Sequence, residues 1–437
     1  MNAIFQRSDL RTRRHFLANV ARGCLGVGTL PWLAPWVRGD SPITTSNTAF
    51  VPTGATAKHV IYLFMEGGMS HIDSFDTKPG REVQGPVESL PTTADGVQVS
   101  QYFPQMARQM HHVAVFNSLN SNQGAHAQGR YYMHTSYFLR GTIQHPDMGA
   151  WSSYFLDQQQ PNLPANVKIG GNSNGLGGGF LESKYAAVPI GDPAAGLQHS
   201  ALPNGTSDST FDRRLARAKQ LNQQFLSRYD HKQVRAYTDL YDEAVRLMRS
   251  EDLQAFDISS ESAEVRGAYG ESEFGQGCLL ARRLVEHGVR FVEVNLGGWD
   301  THTDNFERLT ELGPQLDQGM AALIADLSER GLLGETMVVL ATEFGRTPKI
   351  VADRNGRNHY PKAFSCLMAG GGVRGGQRYG KTDDDGMEVT DDLVTVKDFN
   401  ATIAHAMGLP LDRKVFSPSR RPFTIADDGQ PILKVFS

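Results

Sequence analysis

The chain has 437 residues, of which 40% are hydrophobic and 21% charged, and this is the composition of an ordinary globular protein. It excludes a disordered or fibrous protein. The formal net charge is -4 and no Lys/Arg-rich run is interleaved with aromatic residues, so we expect no nucleic acid partner.

The amino-terminal segment has the pattern of an export address. Residues 12–17 (TRRHFL) place a pair of arginines ahead of the mildly apolar, uncharged stretch 24–36. This order is typical of a twin-arginine signal, which a translocation machinery recognises on folded cargo. We therefore predict that residues 1–40 are an export signal and that the protein is periplasmic or in the cell envelope. An ordinary basic amphipathic helix is the alternative, and cleavage stays open because no Ala-x-Ala precedes Gly39.

Cysteine usage limits the chemistry of the chain. Only Cys24, Cys278 and Cys366 occur, and Cys24 lies in the predicted export segment. These positions exclude a disulfide framework and a cysteine-rich structural zinc site.

Apolar runs that end in glycine or polar residues predict buried strands at 59–65, 112–116, 289–296, 337–341 and 364–369. Apolar residues at helical spacing predict a helix between Leu316 and Leu333, immediately before the 337–341 strand. Strands that alternate with helices pair in parallel through right-handed crossovers. The predicted fold is therefore α/β, a doubly wound and mostly parallel sheet with helices on both faces.

The region between the second and third of these strands has a different composition. Residues 160–210 are rich in Gly, Pro, Asn and Ser, which predicts a long loop without regular core elements, and residues 211–285 have a helical pattern. We predict that 160–285 is an insertion that caps the site within a single domain, 41–437. The 160–210 loop is expected to select the substrate.

Metal-type ligands follow two of the predicted strands. Asp300 and His302 come after the 289–296 strand, and Glu343 comes after the 337–341 strand. In open α/β sheets the carboxyl ends of the strands form the ligand site, and carboxylate and imidazole groups suit zinc, manganese or a similar cation. A plain turn with a hydrogen-bonded loop histidine is the alternative for Asp300 and His302.

Six motifs are spread over the chain after the export segment: 63–80 (LFMEGGMSHIDSFDTKPG), 281–302 (ARRLVEHGVRFVEVNLGGWDTH), 341–348 (ATEFGRTP), 356–361 (GRNHYP), 368–386 (MAGGGVRGGQRYGKTDDDG) and 398–409 (DFNATIAHAMGL). Together with the twin-arginine start, they resemble the bacterial exported family catalogued as domain of unknown function 1501. That family is similar to the alkaline phosphatase and sulfatase superfamily. The resemblance implies an alkaline phosphatase/sulfatase-like α/β sandwich, but no established activity.

The superfamily resemblance also implies a metal centre. Its members hold one or two divalent ions with Asp and His; here Asp300 and His302 match such a pair, Glu343 falls at an Asp-His-Gly position, and His359 falls where a later histidine completes a site. Phe344 stands in place of the second histidine of that motif. Asp73 or Glu66 would supply the carboxylate after the first strand, although His71 and Asp73 could instead cap a helix or pair with Arg140. The expected cofactor is one or two zinc, manganese or calcium ions.

The resemblance places a nucleophile after the second strand, near a helix amino terminus. The candidates are Ser118, Ser121 and His126; the serines could equally be loop and helix-capping residues, and His126 a ligand or a phosphate-binding group. Arg346 would clamp an anionic substrate, or form an ion pair with Glu343 or Asp353.

These features predict an exported metal-dependent hydrolase of phosphate, phosphonate or sulfate esters. Its partners would be a small-molecule anionic ester and the twin-arginine translocation machinery. A formylglycine-type sulfatase is disfavoured because the required cysteine motif is absent. The alternative is a catalytically inactive, sulfatase-like binding or envelope-associated protein.

Overall fold

The computed structural model describes residues 54–156, 162–171, 177–197, 207–228 and 245–436. The predicted export signal, 1–40, lies outside the described residues. The chain divides into two compact units, one of 52–196 and 254–437 and the other of 1–51 and 197–253. Within the described residues, no helix is both long enough and apolar enough to cross a membrane.

The described residues form strands with the following bounds: β1 (His59–Glu66), β2 (Ser89–Pro91), β3 (Gln98–Ser100), β4 (Val113–Asn120), β5 (Asn166–Ile169), β6 (Val188–Ile190), β7 (Phe291–Gly297), β8 (Thr336–Ala341), β9 (Gly345–Arg346), β10 (His359–Tyr360), β11 (Phe364–Ala369), β12 (Gln377–Tyr379), β13 (Lys381–Thr382), β14 (Val389–Asp391), β15 (Val394–Thr395), β16 (Val415–Phe416) and β17 (Pro422–Phe423).

The helices are α1 (Pro104–Gln109), α2 (His126–Thr135), α3 (Met148–Phe155), α4 (Asp208–Arg228), α5 (Ala263–Tyr269), α6 (Glu273–Glu286), α7 (Asn305–Glu329) and α8 (Val396–Ala406). Of the helices with these bounds, α4 belongs to the smaller unit and the others belong to the larger one.

The larger unit is built on a nine-stranded sheet in the order β12-β4-β11-β8-β1-β7-β5-β6, with β15 also paired to β4. Strand β11 runs antiparallel to its neighbours β4 and β8, and the other pairings of this sheet are parallel. Strands β8 and β11 are buried along their whole length, as expected for strands covered on both faces.

Helices pack on both faces of the sheet. Glu293 and Val294 are consecutive in β7, so their side chains point to opposite faces. Glu293 Oε1 lies 3.3 Å from Nε2 of His134 in α2. On the other face, a Cβ added at Gly277 of α6 would lie 2.8 Å from Val294 Cγ1. The predicted α/β class, with a mostly parallel sheet between helices, is confirmed.

All five predicted strands are present, as β1, β4, β7, β8 and β11, and the predicted 316–333 helix forms the second half of α7. Within the mostly parallel sheet that was predicted, β11 runs in the reverse direction, because the chain returns from β8 through the β9–β10 hairpin and not through a helix.

Residues 160–210 contain regular elements of the main sheet, so the prediction of a loop without them is wrong. β5 and β6 form its edge, and β5 pairs in parallel with β7. The short strand β5 forms because pairing with β7 supplies its backbone hydrogen bonds and its apolar residues Val167 and Ile169 are buried. The boundaries of the predicted cap at 160–285 stay a prediction.

Candidate metal centre

Three adjacent strand ends build the site. β1 lies between β7 and β8, and all three are parallel, so the polar residues that follow them meet at one edge of the sheet. The β7 end approaches β1 closely: a Cβ added at Gly67, which has φ +124°, would lie 2.4 Å from the backbone nitrogen of Asp300. Only glycine allows this approach without displacing Asp300.

Two further segments bring histidines to this edge. β10 pairs antiparallel with β9 so that His359 lies opposite Arg346, three residues beyond Glu343. His126 is the first residue of α2, the helix that follows β4. The β9–β10 hairpin places His359, whereas the placement of His126 depends on contact with Glu343, which lies far away in the chain.

Three imidazoles converge on the carboxylate of Asp300. His126 Nε2 lies 3.2 Å from Asp300 Oδ2, while Nε2 of His302 and of His359 lie 3.2 and 3.3 Å from Oδ1. Ligand atoms of His126, Asp300 and His359 all lie within 4.8 Å of one another. His302 is not part of this mutual group, but its Nε2 contacts both Asp300 and His359, and we call these four residues the Asp300 cluster.

The far nitrogen of each imidazole is held by an acceptor outside the cluster. Nδ1 of His126 lies 2.9 Å from Glu343 Oε1, and Nδ1 of His359 lies 2.8 Å from the carbonyl oxygen of Gly124. A carboxylate and a carbonyl only accept, so both Nδ1 atoms carry the proton and both Nε2 atoms present a lone pair to the cluster.

His302 is oriented in the same way, with Nδ1 3.2 Å from Asn358 Oδ1. Its Nε2 lies 2.9 Å from His359 Nε2. Two nitrogen lone pairs at this distance repel each other unless a proton or a cation is shared between them. Nε2 of His126 is buried and has no hydrogen-bond partner. These nitrogens and the Asp300 oxygens fit a divalent cation, since imidazoles held through Nδ1 are the usual protein ligands.

The surroundings of Asp300 and His359 favour the forms of these two residues that bind a cation. Burial by itself raises the pKa of the Asp300 carboxyl, but Arg346, His126 and His359 outweigh it and lower that pKa to about 2. Burial lowers the pKa of His359. The hydrogen bond to Glu343 raises the pKa of His126, which makes this imidazole a stronger base and a stronger ligand.

Glu343 lies behind the cluster. Its Oε1 accepts hydrogen bonds from both His126 Nδ1 and the backbone nitrogen of Gly67, each at 2.9 Å, and its side chain is 1% exposed. Predicted as a ligand, it is placed by the structure to orient a ligand. The residues that sequence reasoning missed are Asn358 and Gly124, whose positions in the chain carry no metal-type signal.

Arg346 is fully buried, and its guanidinium is hydrogen-bonded to protein acceptors. It donates to the carbonyl oxygens of Gly68 at 2.9 Å and Arg357 at 3.1 Å, to that of Gly67, and to Asp300 Oδ1 at 2.5 Å. Its acidic partner is thus Asp300, and not Glu343 or Asp353. With these contacts the guanidinium fixes the Asp300 carboxylate and is not free to clamp a substrate.

Asp73 lies outside the cluster. Its two oxygens accept from Nε and Nη2 of Arg357 at 2.7 and 2.8 Å, and Asn305 Nδ2 donates to Oδ2 at 2.9 Å. Asp73 and Arg357 are both fully buried. Asp73, which was predicted to be a metal ligand or a partner of Arg140, is therefore paired with Arg357.

The hydroxyls of the two serine candidates bond to groups outside the Asp300 cluster. Ser118 lies inside β4, and its hydroxyl donates to the carbonyl of Asp392 at 2.6 Å. Ser121 follows β4, and its hydroxyl accepts from the backbone nitrogen of Gln123 at 3.1 Å. Of the three nucleophile candidates, only His126 reaches the cluster.

The profile of the family described as "Protein of unknown function (DUF1501)" matches residues 57–436. The chain belongs to this family. Membership in DUF1501, predicted from the six motifs, is therefore confirmed. No curated protein sequence matches the chain.

Several solved structures are similar to this DUF1501 chain at a low level. A lipoteichoic acid synthase from Listeria monocytogenes is 9% identical, with a TM-score of 0.39, over 83% of this chain and 76% of that one. A sulfatase from Pseudoalteromonas sp. is 14% identical, with a TM-score of 0.39, over 86% and 73%. A phosphonate monoester hydrolase from Silicibacter pomeroyi is 12% identical, with a TM-score of 0.35, over 86% and 76%. At these values the comparison says nothing about activity, which has to be inferred from the residues of the site.

Proposed function

We propose that the protein is an exported, metal-dependent hydrolase of phosphate, phosphonate or sulfate esters. The observation that supports it is the convergence of three Nε2 atoms on the Asp300 carboxylate, with each Nδ1 held from behind. Export rests on the twin-arginine pattern in residues 1–40, and the ester class rests on the resemblance of the six motifs.

The Asp300 cluster would hold one divalent ion. Three nitrogen donors favour zinc or manganese over calcium, which prefers six to eight oxygens. A bound ion of this kind supplies Lewis acidity toward an ester oxygen. Among the residues that the structure describes, a second ion has no comparable donor set, because Phe344 is apolar and Asp73 is bound to Arg357.

The attacking group is proposed to be water. The recorded hydroxyl bonds of Ser118 and Ser121 go to Asp392 and Gln123 and not to the cluster, so a covalent serine intermediate is not supported. The Asp300 carboxylate is 48% exposed, so solvent and a small ester reach it from outside.

Elemental analysis of protein purified without chelator is the direct test. We expect about one equivalent of zinc or manganese in the parent and its loss in an Asp300→Ala, His302→Ala double variant. Asp353→Ala removes an exposed carboxylate outside the cluster and is the matched control. Absence of metal from the parent after reconstitution with zinc and manganese would refute the proposal.

A binding protein with the same centre is the second candidate, and it is favoured by the position of the two serine hydroxyls. The metal-loaded parent and double variant would be assayed with nitrophenyl phosphate, nitrophenyl sulfate and nitrophenyl phenylphosphonate. Turnover by the parent alone supports the hydrolase. Bound metal without turnover of any of these esters would favour the binding protein.

A further inference from the structure

One face of α2 lies across the site. His126, Gly129 and Arg130 are spaced i, i+3 and i+4 on this helix, so they share a face. His126 binds Glu343. A Cβ added at Gly129 would lie 3.2 Å from Cβ of Glu343 and 3.0 Å from Cδ1 of Phe344. The face therefore packs directly on the residues that follow β8.

Arg130 continues this face toward the end of β1. Its Nη1 donates to Oε1 of Glu66, the last residue of β1. The next residue, Gly67, donates its backbone N–H to Glu343, which in turn holds His126. Arg130 and His126 are thus fixed to the same strand edge, one helical turn apart.

The guanidinium of Arg130 is more exposed than that of Arg346 and makes fewer hydrogen bonds to the protein. Its side chain is 31% exposed, whereas that of Arg346 is fully buried. Within the part of the chain that the structure describes, Glu66 is the only hydrogen-bond partner of the Arg130 guanidinium. A guanidinium carries five N–H donors in a planar fork, so most of them face no protein acceptor.

We infer that Arg130 is the residue that binds the anionic group of the substrate, a tetrahedral oxyanion such as phosphate or sulfate. The inference rests on the proposed function, because the Asp300 cluster would hold the ion that acts on the same group. The fork pairs with two oxygens of an oxyanion, which a lysine ammonium cannot do with the same geometry. Glu66 keeps the guanidinium beside the strand edge when no anion is bound.

Isothermal titration of the zinc-loaded parent with inorganic phosphate, and separately with sulfate, tests this assignment. Charge-assisted hydrogen bonds make a loss of about tenfold or more in affinity the expected result for Arg130→Ala. Arg130→Lys keeps the charge without the fork and should retain part of the affinity. Arg374→Ala removes an exposed arginine whose guanidinium donates to Gln377, and should bind as the parent does.

The variants are compared for zinc content and thermal midpoint before titration, which separates loss of the anion site from loss of the fold. If Arg130→Ala holds zinc and binds both anions as tightly as the parent, or if the parent binds neither anion, the inference fails. The zinc-free parent and Arg130→Ala are titrated in parallel. A parent that binds no zinc refutes the proposed function, and the metal-free titration then still decides whether Arg130 binds the anion.

Discussion

Glu343 shows how far residue type alone can be interpreted. A glutamate after a buried strand is a reasonable metal ligand, but this carboxylate is buried and already accepts from Gly67 and His126. Its chemistry is that of the outer partner that fixes an imidazole and raises its basicity.

We therefore predict that Glu343→Gln weakens metal binding by about 10–100-fold without abolishing it, since the amide oxygen still accepts but carries no charge. Competition with a chelator measures the affinity. Asp300→Ala should lose the metal altogether, and Asp353→Asn should not change the affinity. A loss in Glu343→Gln as complete as in Asp300→Ala would instead make Glu343 a ligand.

The buried pair of Asp73 and Arg357 is expected to determine stability and not metal binding. Asp73→Asn leaves the guanidinium of Arg357 buried without a counter-charge, which typically costs about 3–5 kcal/mol of stability. Urea unfolding measures this cost. Glu335→Gln breaks an ion pair with Lys58 whose partners are 53% and 55% exposed, and it should change stability little. Metal content that falls in Asp73→Asn while the fold is intact would contradict the structural role.

Helix α2 is the element that joins the site to the rest of the sheet. Its first turn supplies His126, while in its last turn His134 lies 3.3 Å from Glu293 of β7. Glu293 also pairs with Lys168 of β5 at 2.8 Å. The helix is thus fixed at both ends, and its distance from the residues after β8 is set by the missing side chain at Gly129.

Gly129→Ala is expected to weaken metal binding. The added Cβ would lie 3.0–3.2 Å from Phe344 and Glu343, so α2 and these neighbours must separate by a few tenths of an ångström, and His126 moves with α2. Gly267→Ala is the matched control in α5, where no atom lies within 4 Å of the added Cβ, and it should stabilise the protein by about 0.5–1 kcal/mol. Chelator competition and urea unfolding measure the two effects. Unchanged metal affinity in Gly129→Ala would show that α2 does not set the position of His126.

At the scale of the whole molecule, the unfolding equilibrium should depend on the protonation of His145. This buried ring stacks on Tyr137, with centroids 4.2 Å apart, and lies 4.8 Å from the ring of Phe423. Burial lowers its pKa from 6.5 to about 4. The unfolded chain therefore binds more protons between these values.

The contribution of His145 to the free energy of unfolding is fully present above about pH 6.5 and is lost as the pH falls toward 4. Urea unfolding at pH 4.5 and 7.5 should show a smaller difference in His145→Gln than in the parent. Asp147 acts in the opposite direction, because burial raises its pKa to about 6 and its contribution falls as the pH rises through that value. An identical pH dependence of unfolding in parent and variant would show that His145 does not contribute to it.

The sequence by itself determined the α/β class, the five buried strands and the edge at which polar residues gather, because apolar periodicity and strand-end chemistry are local properties. It also offered Asp300, His302 and His359 as candidate ligands, which the structure brings into contact. Only the tertiary structure decided which partners these residues have. The β9–β10 register brings His359 opposite Arg346, and the packing of α2 turns His126 toward Asp300. Other tertiary contacts pair Asp73 with Arg357 and the Ser118 hydroxyl with the carbonyl of Asp392. Such pairings join residues up to hundreds of positions apart, and no spacing along the chain encodes them.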